Sequence, residues 1–295
     1  MRILPDTRDL INLTEHSRTV TPEAFGEYLL AGNHQIVLSM TNIRELSGPL
    51  ANGGDFLRIR ALLQLLEGLS HTYLREAAII ELEIKSALDA FNAGAAYQQC
   101  AVYVTRWGQT LLSLPGQQGG PADALVSLRL DEIVYMIRQA RPDVFAPPHH
   151  YLPRLQQDFR EQRAALRAGQ LPKTRDHFVG SLRRFAERRN ITLPNGREEE
   201  FGRWVFADVS RCPGIRLHHE TYRKLLSNCD DIPEVGDFSD LATIFAVPYV
   251  DAATLDNRMR GYCDQASGHL FKLGLPLDYR QRLYSDLSAL IDSNP

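Results

Sequence analysis

The residues best suited to chemistry are carboxylates near the two ends of the chain. Gly236-Asp237-Phe238-Ser239-Asp240-Leu241-Ala242 runs on to Val247-Pro248-Tyr249-Val250-Asp251-Ala252-Ala253-Thr254-Leu255-Asp256, with acids at a short helix and again after a short apolar strand. Asp6, behind Ile3-Leu4-Pro5, has the same setting as Asp256. Glu45 falls one turn beyond a second apolar strand, Gln35-Ile36-Val37-Leu38-Ser39. In open parallel α/β sheets, sites form outside the carboxyl ends of the strands. Asp6, Glu45, Asp240 and Asp256 are therefore expected to face one sheet edge. Carboxylates packed together repel and raise one another's pKa unless a cation compensates. Hard divalent ions such as Mg²⁺ or Mn²⁺ take such oxygen ligands and keep several waters. Each acid alone has a plainer reading: Asp6 and Asp240 as helix N-caps, Glu45 as a first-turn acid favoured by the helix dipole, Asp256 as a turn residue. The agreement of all four on one edge is what points to a cation site.

The elements that position these acids follow from periodicity and punctuation. Residues 3–7 read as a buried strand ending in an acid, and 9–14 as a short helical or turn segment. Thr21-Pro22 is a helix start, with Thr as N-cap and Pro at the first helical position. Gly32-Asn33 stops that helix after residue 31. The strand at 35–39 and a helix from Thr41 complete a strand–helix–strand–helix grammar, that of a parallel α/β sheet. From about residue 54 to 203 the pattern is helical, over 56–69, 73–93, 122–141 and 152–168, broken by Pro/Gly-rich stretches such as 115–121. No strand is expected there. A helix at 217–227 follows. The α/β grammar then returns, with a helix near 238–245 opened by Asp240, a strand at 250–255, a helix from Asn257 and a final helix at 279–293. The expected organisation is one sheet domain, residues 1–52 and 204–295, split by an all-helical insertion over 53–203.

Bulk properties narrow the class. At 295 residues, 44% hydrophobic and 23% charged, the chain is long enough to bury a sizeable core. No apolar run approaches the roughly 20 residues that cross a bilayer. The first acid comes too early for a secretory apolar region of about 7–15 residues, so a cytoplasmic protein is expected. Cys100, Cys212, Cys229 and Cys263 show no CxxC pairing, which favours reduced, mostly buried thiols. A net charge of −3 excludes a strongly basic, DNA-coating protein but not a local phosphate-binding patch.

Taken together, Ile3-Leu4-Pro5-Asp6-Thr7, Ile36-Val37-Leu38-Ser39 with Glu45-Leu46, Gly236-Asp237-Phe238-Ser239-Asp240, and Pro248-Tyr249-Val250-Asp251 with Thr254-Leu255-Asp256 resemble the PIN domain, in a version found in bacterial PIN-like proteins. The resemblance covers the N-terminal segment and the stretch near the C-terminus, not the helical middle. It departs from the family at Arg8, which follows Thr7 where a small polar residue is usual. It implies a three-layer α/β fold around a central parallel sheet. It also implies a metal-dependent ribonuclease whose four acids fall on Asp6, Glu45, Asp240 and Asp256, with Mg²⁺ or Mn²⁺ as cofactor. Thr7, Asp237 and Asp251 are then supporting residues. The rival reading is a PIN-like module that has lost catalysis and binds RNA or protein. Partners compatible with either are RNA, another protein or a second copy of the chain, but not a membrane.

Arginines are concentrated between Arg160 and Arg189 against few acids. Arg183, Arg184 and Arg188, with Arg211 closer to the sheet, are candidates for phosphate contact. A solvated helix face is the alternative. Two adjacent pairs, His149-His150 and His218-His219, point to different faces and are read as loop or surface residues rather than chelators. Trp107, Trp204, Tyr97 and Tyr103 are read as core. No GxxxxGK[ST], GxGxxG, HExxH or GxSxG motif is present, against nucleotide-fold, zinc-protease and serine-hydrolase readings.

Overall fold

A computed structural model describes residues 1–14, 20–51, 56–106, 110, 128–130, 132, 152–170, 173–228, 234–275 and 278–293. The strands are β1 (Arg2–Leu4), β2 (Gln35–Leu38), β3 (His71–Leu74), β4 (Tyr103–Val104), β5 (Ala252–Thr254) and β6 (Leu283–Tyr284). They form one sheet in the order β4-β3-β2-β1-β5-β6. All neighbours are parallel except β3 and β4. The helices are α1 (Thr7–Asn12), α2 (Pro22–Ala31), α3 (Met40–Ala51), α4 (Phe56–Gly68), α5 (Glu76–Ala93), α6 (Leu152–Arg167), α7 (Thr174–Arg188), α8 (Glu198–Ala207), α9 (Pro213–Ser227), α10 (Val235–Ile244), α11 (Asn257–Lys272) and α12 (Leu287–Ser293).

Successive strand residues point to opposite faces, and the core divides accordingly. Ile3, Ile36, Leu38, Tyr73 and Ala252 join a cluster with α1 to α4 and α12. Leu4, Val37, Leu74, Ala253 and Leu283 join a second cluster with α5 to α11. The molecule is thus an α/β fold with helices on both faces of a mostly parallel sheet, which explains why the inner residues of β1, β2 and β5 are apolar without alternation.

Two features depart from the expected elements. Residues 54–203 are not strand-free, because β3 and β4 belong to the sheet and extend its β2 edge. His71-Thr72-Tyr73-Leu74 is too short to show a period of its own, and its apolar residues merge with the helical pattern of α5 that starts two residues later. The tail 279–293 is likewise not one helix. It is a 3₁₀ turn (Tyr279–Arg282), then β6, then α12. The helix expected from residue 217 begins earlier, at Pro213. Residues 115–121, most of 122–141, His149, His150, Trp107 and Cys229 lie outside the described residues. Among the described residues no helix is long and apolar enough to cross a membrane, and Cys100, Cys212 and Cys263 are free thiols, the last two buried.

Candidate functional site

Parallel pairing of β1 with β5 fixes the first half of the site. The register Leu4↔Ala253 carries both strands to the same edge, where each hands over to a helix through an aspartate. Asp6 is the N-cap of α1, its Oδ1 accepting the Arg8 amide at 2.8 Å. Asp256 is the N-cap of α11, its Oδ1 accepting the Arg258 and Met259 amides at 2.7 and 3.1 Å. Thr254 links the two strands: its buried hydroxyl accepts the Asp6 amide at 2.7 Å. The capping reading and the site reading of these aspartates are therefore compatible, since capping takes one oxygen of each and fixes the direction of the other.

Asp240 does not open its helix. It lies in the second turn of α10, whose N-cap is Glu234. Asp237 completes that cap by accepting the Glu234 amide at 2.5 Å, and both its oxygens take Nη1 of Arg258 at 2.9 Å. Asp237, itself buried, is thus held in a part-buried ion pair that ties α10 to α11. Asp251 lies at the other edge. It accepts the Arg2 amide at 2.8 Å, at the amino end of β1, away from Asp6 at the carboxyl end.

The charge environment connects the four main acids. Burial holds the Asp240 carboxyl well above the ordinary carboxylate range, to about 8, reinforced by a hydrogen bond shared with Asp256 and by the charges of Asp256, Asp6 and Glu45. Burial also raises Asp6, with the charge of Asp256 adding to it, against the Arg8 amide and guanidinium, which lower it. Charge coupling reaches further than coordination: at an effective dielectric of about 20, unit charges roughly 8 Å apart still interact by about 2 kcal/mol. Among the described residues, no group of three or more His, Cys, Asp or Glu side chains is disposed to cage a metal ion by itself. The four acids share one electrostatic field without forming such a group.

Four more residues build this edge. Asn42, buried after β2, donates through Nδ2 to the Pro5 carbonyl (3.0 Å) and the Thr7 hydroxyl (3.1 Å), and its Oδ1 accepts the Ser39 amide at 3.0 Å. It thereby ties the carboxyl end of β1 to that of β2 and holds Thr7. Glu76, directly after β3, accepts the Thr41 amide at 2.9 Å and hydroxyl at 3.0 Å, closing the start of α3. Asp9 is buried, pushed up to about 6 by desolvation against a hydrogen bond from Thr254, with Asp6 adding to the rise. Thr254 itself sits between the caps. Glu76 would have been legible had β3 been recognised, because it then stands where Asp6 and Asp256 stand. Asn42 carries no comparable signal, since its importance lies in bonds to another strand.

The arginines divide. Arg183, Arg184 and Arg188 are exposed on α7. Arg211 is not a free phosphate ligand: its guanidinium stacks 3.8 Å from the Trp204 ring centroid, donates to the Trp204 carbonyl and pairs with Asp208 at 3.4 Å. Nor are His218 and His219 surface residues. On α9 His219 is buried and His218 half-buried, and they diverge: His218 stacks on Phe245 at 4.0 Å, while Nε2 of His219 bonds Nδ1 of His177 at 3.0 Å. Trp204 packs edge-on against Phe91 at the core margin. Compared with known proteins, the chain matches no protein-family model, no curated protein and no solved structure at a significant level.

Proposed function

We propose that the chain is a PIN-like, metal-dependent ribonuclease of the cytoplasm, with Asp6, Glu45, Asp240 and Asp256 holding Mg²⁺ or Mn²⁺. The observation that supports this reading is the Asp240 carboxyl, whose proton affinity is raised first by burial and then by the neighbouring Asp256, Asp6 and Glu45. A carboxyl held protonated by burial beside other acids is a position where a cation can replace a proton.

When bound, such an ion neutralises the scissile phosphate and activates a water. The chain's own groups do the rest. The α1 and α11 amides fix Asp6 and Asp256, Asn42 and Thr254 lock the strand ends together, and Asp240 gives up its proton on loading. In the hydrolysis, water oxygen bonds to phosphorus, the P–O ester bond breaks, and the leaving oxygen takes a proton. Asp6→Asn and Asp240→Asn should each abolish Mn²⁺-dependent cleavage of labelled RNA, with the circular dichroism spectrum unchanged. Asn keeps the capping oxygen at position 6. Full cleavage by both variants would sink the reading.

One observation favours the rival, an RNA-binding module without catalysis. Arg8 already sets a positive charge beside Asp6 and lies 3.9 Å from Asp9. RNA binding that is indifferent to EDTA, with no cleavage at any Mn²⁺ concentration, would decide for that reading.

A further inference from the structure

A cleft of about 320 Å³ opens between α6, α7, α9 and α10, on a different side of α10 from Asp240. Its volume lies within the range of small-ligand sites, about 300–1,000 Å³. One wall is aromatic. His218 stacks on Phe245 with an interplanar angle of 13°, Tyr222 lies parallel to His218 within 2°, and Phe185 meets His218 edge-on at 6.0 Å. Burial lowers His177 to about 4 and His218 to about 3, so these rings are neutral near pH 7.

The cleft's positive charge therefore comes from Arg184 and Arg188. They lie one turn apart on α7, so they project along the same side of the helix. Neither has a carboxylate within ion-pair distance among the described residues, and Arg184 donates only to the Ser181 hydroxyl at 3.0 Å. Across the cleft, α6 contributes Asp158 and Gln162, again one turn apart, and Gln162 bonds Tyr222.

We propose that this cleft is a nucleotide pocket, in which an aromatic base lies against the His218–Tyr222 wall and its phosphate is held by Arg184 and Arg188. Paired guanidinium forks fit phosphate oxygens. Every base has a face that stacks on such rings, and Asp158 is placed to accept from a base N–H. The pocket stands on its own residues and does not depend on the carboxylate edge. The ligand is either a free mononucleotide or one nucleotide of a single-stranded RNA.

The test is titration calorimetry on the full chain in EDTA, with AMP, GMP, CMP and UMP, inorganic phosphate, and a short single-stranded RNA. At least one mononucleotide should bind saturably, and more tightly than inorganic phosphate. The double variant Arg184→Glu, Arg188→Glu, checked for an unchanged melting temperature, should weaken binding by about tenfold or more. Tighter binding of RNA than of any mononucleotide identifies RNA as the source, and the reverse identifies a free nucleotide. Asp240→Asn should bind like the unaltered chain, which separates this pocket from the cleavage reading. The proposal is overturned by saturation with no nucleotide or RNA, by phosphate binding as tightly as nucleotides, or by charge reversal without effect.

Discussion

At the scale of single residues, Asp240 is the most informative group. Burial, with Asp256 beside it, raises its carboxyl from the ordinary range to about 8. For an acid shifted upward, the stabilising contribution is complete below the unfolded pKa and is lost as pH rises through the folded one. Asp240→Asn removes that slope. In EDTA the variant should therefore melt above the unaltered protein, with a gap of a few degrees that is wider at pH 8.5 than at pH 5. Mg²⁺ should raise the melting temperature of the unaltered protein more at the higher pH, since loading displaces a proton, and should leave Asp240→Asn unmoved. A metal-induced shift that is the same in both proteins would remove Asp240 from the site. Glu83 belongs to a different category despite a similar environment. Burial raises it to about 7, yet it accepts the Gly214 and Ile215 amides and the Tyr249 hydroxyl at 2.6, 2.8 and 2.6 Å. Those bonds make it the anchor of the α9 start, where a Cβ on Gly214 would come 2.5 Å from the Phe245 carbonyl oxygen.

At the scale of elements, the handover from strand to helix is what aims the acids. The carboxyl ends of β1 and β2 are joined through Asn42, which spans the Pro5 carbonyl, Thr7 and Ser39. Asn42→Ala leaves buried donors and acceptors without partners, each such loss costing about 1–3 kcal/mol. The variant should lose about 2 kcal/mol in urea unfolding and bind Mn²⁺ more weakly, because Thr7 and the start of α1 are released together. Unaltered Mn²⁺ affinity in a destabilised but folded Asn42→Ala would mean that this tie supports the sheet alone. Similarly, Glu83→Gln places an amide N–H against a backbone N–H at the α9 start. It should cost about 1–3 kcal/mol without changing Mn²⁺ affinity, since the Glu83 carboxylate bonds Gly214, Ile215 and Tyr249 and none of the four acids.

At the scale of the whole molecule, a single sheet supports two apolar layers. Phe178, on α7 and fully buried, belongs to the same cluster as Leu4 and Ala253 of the sheet. Phe178→Ala should therefore destabilise the protein by about 3–5 kcal/mol. It should also shift one cooperative transition, with helical signal and Mn²⁺ binding lost together. Separate transitions for the two signals would show that the helices of 152–227 form an independent unit. The cysteines give a second global reading. Burial raises Cys212 well above the ordinary thiol range and Cys263 to about 12. Both should resist iodoacetamide in the native protein and react only after the transition, as read by peptide mass spectrometry.

The local grammar was legible from the residues alone. Thr21-Pro22 and Gly32 bound α2, apolar runs mark β1 and β2, and Asp6 and Asp256 each follow a strand, because caps, turns and apolar strands depend on neighbours within a few residues. What the tertiary structure decided lies in pairings between distant segments. A four-residue strand such as β3 has no period long enough to separate it from the helix that follows. The burial of His219 and the stacking of Arg211 on Trp204 depend on packing that no local pattern encodes. Asp237 and Asp251, supporting residues by the sequence reading, lie respectively in an ion pair with Arg258 and at the opposite edge of the sheet, a separation no local pattern shows. Residue type and spacing determined which acids follow which strands. The parallel register of β1 on β5, and the burial of α10 beside them, decided which acids share one field.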